Sequence, residues 1–178
     1  MRQMVLVGFL QAQNCSNFAG SWRHPESRLD FMSPEFYAHI ARTLEYGKFQ
    51  LAFFDDRLGM PEFHGGRFAE AIENGIRCVK MDPIACLMPM AMATSRIGLG
   101  ATYSVTYYQP YHVARLFQTF DHMTKGRAAW NVVTSMNDIE AQNMGFAEAP
   151  PHDSRYDRAD EFMEVVHGHW DTWGDEAL

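Results

Sequence analysis

The chain has 178 residues, 47% of them hydrophobic, enough for one domain with a real core and too apolar for a disordered chain. A formal charge of −7 with no run of Lys or Arg leaves no footprint for nucleic acid or an anionic membrane surface, and points to small-molecule or protein partners. Three cysteines, Cys15, Cys78 and Cys86, form no Cys-x-x-Cys pair, which argues against a disulfide framework and a zinc site.

The first residues carry one basic group and a short apolar run that soon meets Gln11, Gln13 and Asn14, unlike a signal peptide. No stretch approaches the roughly 18 apolar residues of a membrane helix, so the expectation is a soluble, cytoplasmic protein. Met4 to Leu10 reads as a strand buried on both faces of a parallel sheet. Ser33-Pro34-Glu35 then supplies an N-cap, a first-turn proline and a first-turn acid, and Phe36, Ile40 and Leu44 repeat at helical spacing until Gly47. Leu51 to Phe54 is the second strand. After a long Gly-rich stretch, Asp82-Pro83 repeats the cap-plus-proline signal before Leu87, Met90, Ala91 and Thr94. Ile97 to Ser104 is the third strand, and Pro110 opens a helix with Val113, Leu116, Phe117 and Phe120 on one side, ending at Gly126. Ala128 to Val133 is the fourth strand, followed by a polar loop. The last helix runs from about Ser154 and buries Ala159, Phe162, Met163, Val166 and Trp170.

Four strand-helix repeats fit an open doubly wound sheet or a (β/α)₈ barrel, and periodicity does not separate the two. The dinucleotide fingerprint is absent: Gln11-Ala12-Gln13-Asn14 follows the first strand, and Gly98-Leu99-Gly100 begins a strand where it cannot open a helix. Polar residues instead gather at the carboxyl ends of the strands: Asn14, then Asp55 and Asp56, then Ser104 and Thr106, then Asn131 and Thr134. In a barrel the active site is built on that rim. Asn131, read as buried beside Trp130, needs several partners for its amide; ligand contact or barrel-interior hydrogen bonding would each suffice. The histidines lack ligand spacing, and His167 and His169 face different sides of a helix, so no metal site is expected.

Gly20-Ser21-Trp22-Arg23-His24-Pro25, Gly98-Leu99-Gly100-Ala101-Thr102, Pro110-Tyr111-His112-Val113-Ala114-Arg115, Asp121-His122-Met123-Thr124-Lys125-Gly126-Arg127, Trp130-Asn131-Val132-Val133-Thr134-Ser135 and His152-Asp153-Ser154-Arg155-Tyr156 run in order. Together they resemble the bacterial luciferase-like monooxygenases, in the branch of nitrilotriacetate, dibenzothiophene-sulfone and dimethyl-sulfide oxidisers. The resemblance implies a TIM-type (β/α)₈ barrel of which residues 1–178 form a single domain, the N-terminal half with about four βα units. It further implies reduced FMN, supplied by a separate NAD(P)H:flavin reductase, with O₂ and a small organic substrate as reactants. The family's FMN contacts carry onto Asp56, Thr102, His152 and Tyr156; no catalytic residue is assigned. Members commonly read Ala-Asp where this chain reads Asp55-Asp56, and the family register selects Asp56 for the pocket. The residues themselves allow plainer roles. Asp56 can cap a turn before Gly59, Thr102 can serve as a strand former, and His152-Asp153 can cap the last helix.

A complete barrel takes roughly 250 residues and eight strands. Half of one leaves two open parallel edges and an uncovered inner face, so the expectation is a chain that is inactive alone and aggregates, pairs with a second copy or a complementary half-barrel, or is a fragment of a longer protein. A non-catalytic remnant or interaction module, and a barrel using the deazaflavin F420, are the alternatives; the Trp-Arg-His-Pro and Trp-Asn-Val-Val-Thr-Ser words favour FMN. Substrate choice is expected to lie partly in the Gly59 to Met81 loop.

Overall fold

A computed structural model describes residues 3–16, 18, 20–62, 66–174 and 176–177. Met1, Arg2 and part of the Gly59 to Met81 loop therefore lie outside the described residues. The elements follow in order as β1 (Val7–Gln11), a 3-10 turn (Ser21–Arg23), α1 (Pro34–Tyr46), β2 (Leu51–Asp55), α2 (Ala69–Glu73), α3 (Pro83–Ala93), β3 (Gly98–Ser104), α4 (Pro110–Thr124), β4 (Ala128–Val133), α5 (Asp138–Asn143) and α6 (His152–Asp171). The strands form one sheet in the order β1-β2-β3-β4, and the β1–β2 and β2–β3 pairs are parallel. This is the α/β alternation expected from the periodicity. Among the described residues no helix is long and apolar enough to cross a membrane. The chain divides into two compact units, Met1–Thr102 and Tyr103–Leu178.

In the first unit the helices begin where capping chemistry dictates. The Ser33 hydroxyl accepts from Phe36 N at 3.2 Å, the Asp82 carboxylate accepts from Ile84 N at 2.8 Å, and a proline follows each cap. Tyr37 and Ala41 of α1 and Ile84, Cys86, Leu87 and Met90 of α3 are buried, with Ala52 and Phe54 of β2. β2 alternates strictly, so Ala52 and Phe54 share the buried face while Leu51, Phe53 and Asp55 turn to the other. β1 follows the same rule. Gly8 is buried so closely against α1 that an added Cβ would stand 2.9 Å from the Leu44 side chain.

Two expectations for this unit are corrected. The first strand begins at Val7, and it is not buried on both faces: Phe9 is 57% exposed and Val7 45%. β1 ends the sheet order, so no further strand shields it on that side. The short helix α2 and the 3-10 turn, too brief for a periodic signal, were not anticipated.

In the second unit, α4 and α6 pack against each other and against Trp130 of β4. The Trp130 ring stacks on Phe117 at 5.1 Å between centroids and meets Phe162 and Trp170 at 6.2 and 6.5 Å, while its indole N–H donates to the Tyr103 carbonyl at 3.1 Å. An aromatic cluster with a satisfied polar handle is a strong core element. Asn131, one residue along, points the opposite way and is exposed, which corrects the burial expected for it. The segment read as a polar loop contains α5, and α6 begins at His152 with Pro151 rather than a histidine or aspartate as its cap. Within α6, Phe162 and Val166 are fully buried, whereas Ala159, Met163 and Trp170 are half-buried.

Candidate functional site

Parallel pairing sets the site in the first unit. The register places Gln11 beside Asp55, and Phe9 beside Phe53 one step earlier on the same face. Phe54 pairs with Ala101, so Thr102, the next residue of β3, turns to the same side as Asp55. That face thus runs from aromatic rings, Phe9 and Phe53 in edge contact at 5.7 Å, to a polar row at the carboxyl ends of the strands. In this row the Gln11 amide donates to Asp55 Oδ2 at 3.2 Å, and Thr102 is buried at 3% exposure.

Asp56 leaves the strand in another direction. Its Oδ1 accepts from the Arg57 backbone N–H at 2.9 Å and faces Lys80 Nζ at 3.4 Å, with the Asp56 side chain 13% exposed. Lys80 is itself fixed by backbone pairing: it bridges Gln13 in antiparallel fashion, and Met81 N donates to the Ala12 carbonyl at 2.8 Å. Burial pushes the Asp56 carboxyl up to about 6, against the opposing pull of Lys80 and of the Arg57 N–H. Burial also lowers the Lys80 ammonium, which the Asp56 and Asp55 charges oppose. The strand alternation therefore divides the two aspartates, Asp55 going to the open face and Asp56 to the lysine.

A cleft of about 590 Å³ opens beside β1 and α1, lined among others by Phe9, Gln11, Gln13, Cys15, Tyr37 and Phe54. The Tyr37 hydroxyl is buried there beside the Cys86 thiol, and burial raises its phenol far above the ordinary range. Of the polar residues expected at the strand ends, Asn14 is structural: its amide donates to the Gly75 carbonyl at 2.7 Å.

In the second unit His152 and Tyr156 come together as their spacing implies, with ring centroids 4.9 Å apart and both residues exposed. The His152 ring also meets Asp153 Oδ1 at 2.8 Å. Ser104 and Ser135 share a buried hydroxyl pair at 2.9 Å, and Arg155 and Arg158 tie α6 to the strand ends through the carbonyls of Ser135, Val105 and Thr106. These arginines, Ser135, Gln11 and Lys80 were not singled out in the sequence. Arg155 and Arg158 sit three residues apart, a spacing that places two cations on one helical face and was a usable signal. Among the described residues no cluster of three or more His, Cys, Asp or Glu is placed to hold a metal ion.

A model of the luciferase-like monooxygenase family matches residues 13–176. Dibenzothiophene-sulfone monooxygenase of Rhodococcus erythropolis is 48% identical over 178 residues, covering 99% of this chain and 39% of that protein. The crystal structure of a long-chain alkane monooxygenase matches with a TM-score of 0.93 at 34% identity, covering 100% of this chain and 42% of that one. A riboflavin lyase crystallised with modified FMN and riboflavin matches with a TM-score of 0.91 at 31% identity, covering 99% of this chain and 40% of that one. The chain thus spans well under half the length of the relatives it matches, and its four βα units are part of a TIM-type barrel. By sequence and by fold, this chain belongs to the luciferase-like monooxygenase family.

Proposed function

We propose that this chain forms one side of the flavin site of an FMNH₂-dependent monooxygenase acting on a small organic substrate with O₂. The reduced flavin would come from a separate NAD(P)H:flavin reductase, and the setting would be the cytoplasm. The observation that carries this reading is the polar row closing an aromatic face at the carboxyl ends of the parallel strands. That is where barrel enzymes build their sites. The FMN held by the riboflavin lyase supports the choice of flavin.

Within each unit the donor chemistry fits part of a flavin. Thr102 offers a hydroxyl in the polar row, and Asp56, beyond the strand end and turned toward Lys80, offers a carboxylate acceptor; each chemistry suits the polar edge of an isoalloxazine. His152 and Tyr156 present an imidazole and a phenol side by side and accessible, and Asn131 adds an exposed amide. Phe9 and Phe53, in edge contact, provide an apolar surface that keeps water from the ring. Bound reduced flavin would supply the activation of O₂; the chain's residues orient the ring and exclude solvent.

The exposed edge and face of β1 call for completion, by a second copy, by a complementary half-barrel, or by further sequence of the same protein. Residues 1–178 as one N-terminal half-domain belong to this proposal. The test is size-exclusion chromatography of the 178-residue chain followed by anaerobic titration with FMNH₂. A soluble species that binds reduced flavin supports the reading; a folded, soluble species blind to flavin overturns it.

A further inference from the structure

We propose that Lys80 is the positioning residue for Asp56: its ion pair holds the carboxylate ionised and turned as a hydrogen-bond acceptor for the flavin's polar edge. The inference rests on the reading of Asp56 as a flavin ligand.

Three observations converge on Lys80. Its ammonium lies 3.4 Å from Asp56 Oδ1, with both side chains largely withdrawn from water at 24% and 13% exposure. Its backbone is pinned by the Gln13 bridge and by Met81 N on the Ala12 carbonyl, so the ammonium is delivered by fixed main chain. The Asp56 surroundings otherwise oppose ionisation. Asp82, the N-cap of α3, adds a second negative charge, and Cys86 of α3 lies near with a thiol that burial raises. Asp55, adjacent in the chain, adds another negative charge near the lysine, and Arg57 contributes its backbone N–H to Asp56 while its charge opposes that of Lys80.

A carboxylate in that setting is a poor acceptor once protonated, because its second oxygen then becomes a donor. Burial already pushes Asp56 up to about 6 with the lysine in place. An opposite charge this close lowers a carboxyl, so removing Lys80 lifts the Asp56 midpoint further. Sign follows directly: flavin affinity carried by ionised Asp56 is present above the Asp56 midpoint and lost as pH falls through it, and the loss begins at higher pH without Lys80.

The test is FMN binding by the 178-residue chain across pH 5 to about 9, read by quenching of flavin fluorescence for wild type, Lys80→Met, Lys80→Arg and Asp56→Asn. FMN's own phosphate titrates near pH ~6, so the Asp56→Asn profile is the background to subtract. The expected result is an Asp56-dependent midpoint moved upward by about 1 unit or more in Lys80→Met and restored in Lys80→Arg. The ¹³C shift of the Asp56 carboxyl in flavin-free protein should titrate with the same displacement, a readout a merely structural lysine would not move. Should Lys80→Met fail to fold, Lys80→Gln carries the comparison. Unmoved midpoints, with FMN bound and Asp56→Asn weakened, overturn the role of Lys80 and leave the flavin reading standing. Wild-type protein that ignores FMN overturns both.

Discussion

Glu45, at the end of α1, is the most informative residue to remove. Its carboxylate gathers three successive backbone N–H groups ahead of β3: Ser95 at 3.1 Å, Arg96 at 2.8 Å and Ile97 at 2.9 Å. The strand it holds in place is the one that carries Thr102. Ser95 and Arg96 are exposed, so water replaces the lost partner at a cost of about 0–0.5 kcal/mol each. Ile97 is 1% exposed, and leaving its N–H unpaired costs about 1–3 kcal/mol. Glu45→Ala should therefore destabilise the chain by about 1–4 kcal/mol, or lower Tm by roughly 2–16 °C. Glu45→Gln keeps a carbonyl acceptor and should lose about 1 kcal/mol. Burial alone would raise the Glu45 carboxyl, but the Ile97, Arg96 and Ser95 N–H groups, with the Arg96 charge, outweigh it and hold the group below its ordinary value. A lowered folded value means the stabilisation is present above the unfolded value of about 4.3 and lost as pH falls through the folded one. Urea melts of wild type and Glu45→Ala at pH 7 and at successively lower pH give the assay. The two should differ fully at pH 7 and converge in acid; a difference under about 0.5 kcal/mol at pH 7, or one that persists in acid, refutes the clamp.

Asp56→Ala and His152→Ala should each weaken FMN binding about tenfold or more, one charge-assisted or aromatic contact being worth about 1.5–3 kcal/mol, while Cys78→Ser leaves it unchanged; equilibrium titration decides. Leu87, fully buried in α3, should cost about 2–5 kcal/mol as Leu87→Ala, measured by denaturant melts. Gly75 sits at φ +62°, and a Cβ there would stand 3.1 Å from the Trp22 indole, so Gly75→Ala should cost about 1–2 kcal/mol. The Trp22 fluorescence maximum should shift with it, because the indole N–H donates to the neighbouring Asn74 carbonyl.

The βα alternation was legible because it rests on local chemistry. Ser33-Pro34 and Asp82-Pro83 start helices through their own side chains, and the apolar runs of β2, β3 and β4 fall within one residue of their observed ends. What failed was inference about neighbours. The apolar composition of β1 suggested burial on both sides, yet position in the sheet order, which no local pattern encodes, leaves Phe9 open. Asn131 went wrong for a related reason: its neighbour Trp130 is core, but a period of two puts adjacent residues on opposite faces. The clamp of Glu45 and the reach of Lys80 join residues 51 and 24 positions apart respectively, and only the fold brings them together.

The Asp55-Asp56 pair shows how a sequence ambiguity becomes a division of labour. Two adjacent carboxylates in one environment would repel and raise each other's protonation. β2 ends between them, so each meets a different partner: a neutral amide from Gln11 for Asp55, a cation from Lys80 for Asp56. The amide supplies direction without charge and orients Asp55 at the end of the aromatic face. The ammonium supplies charge to Asp56, a carboxylate that burial penalises. The buried acid therefore has the charged partner, which opposes the penalty that burial places on Asp56.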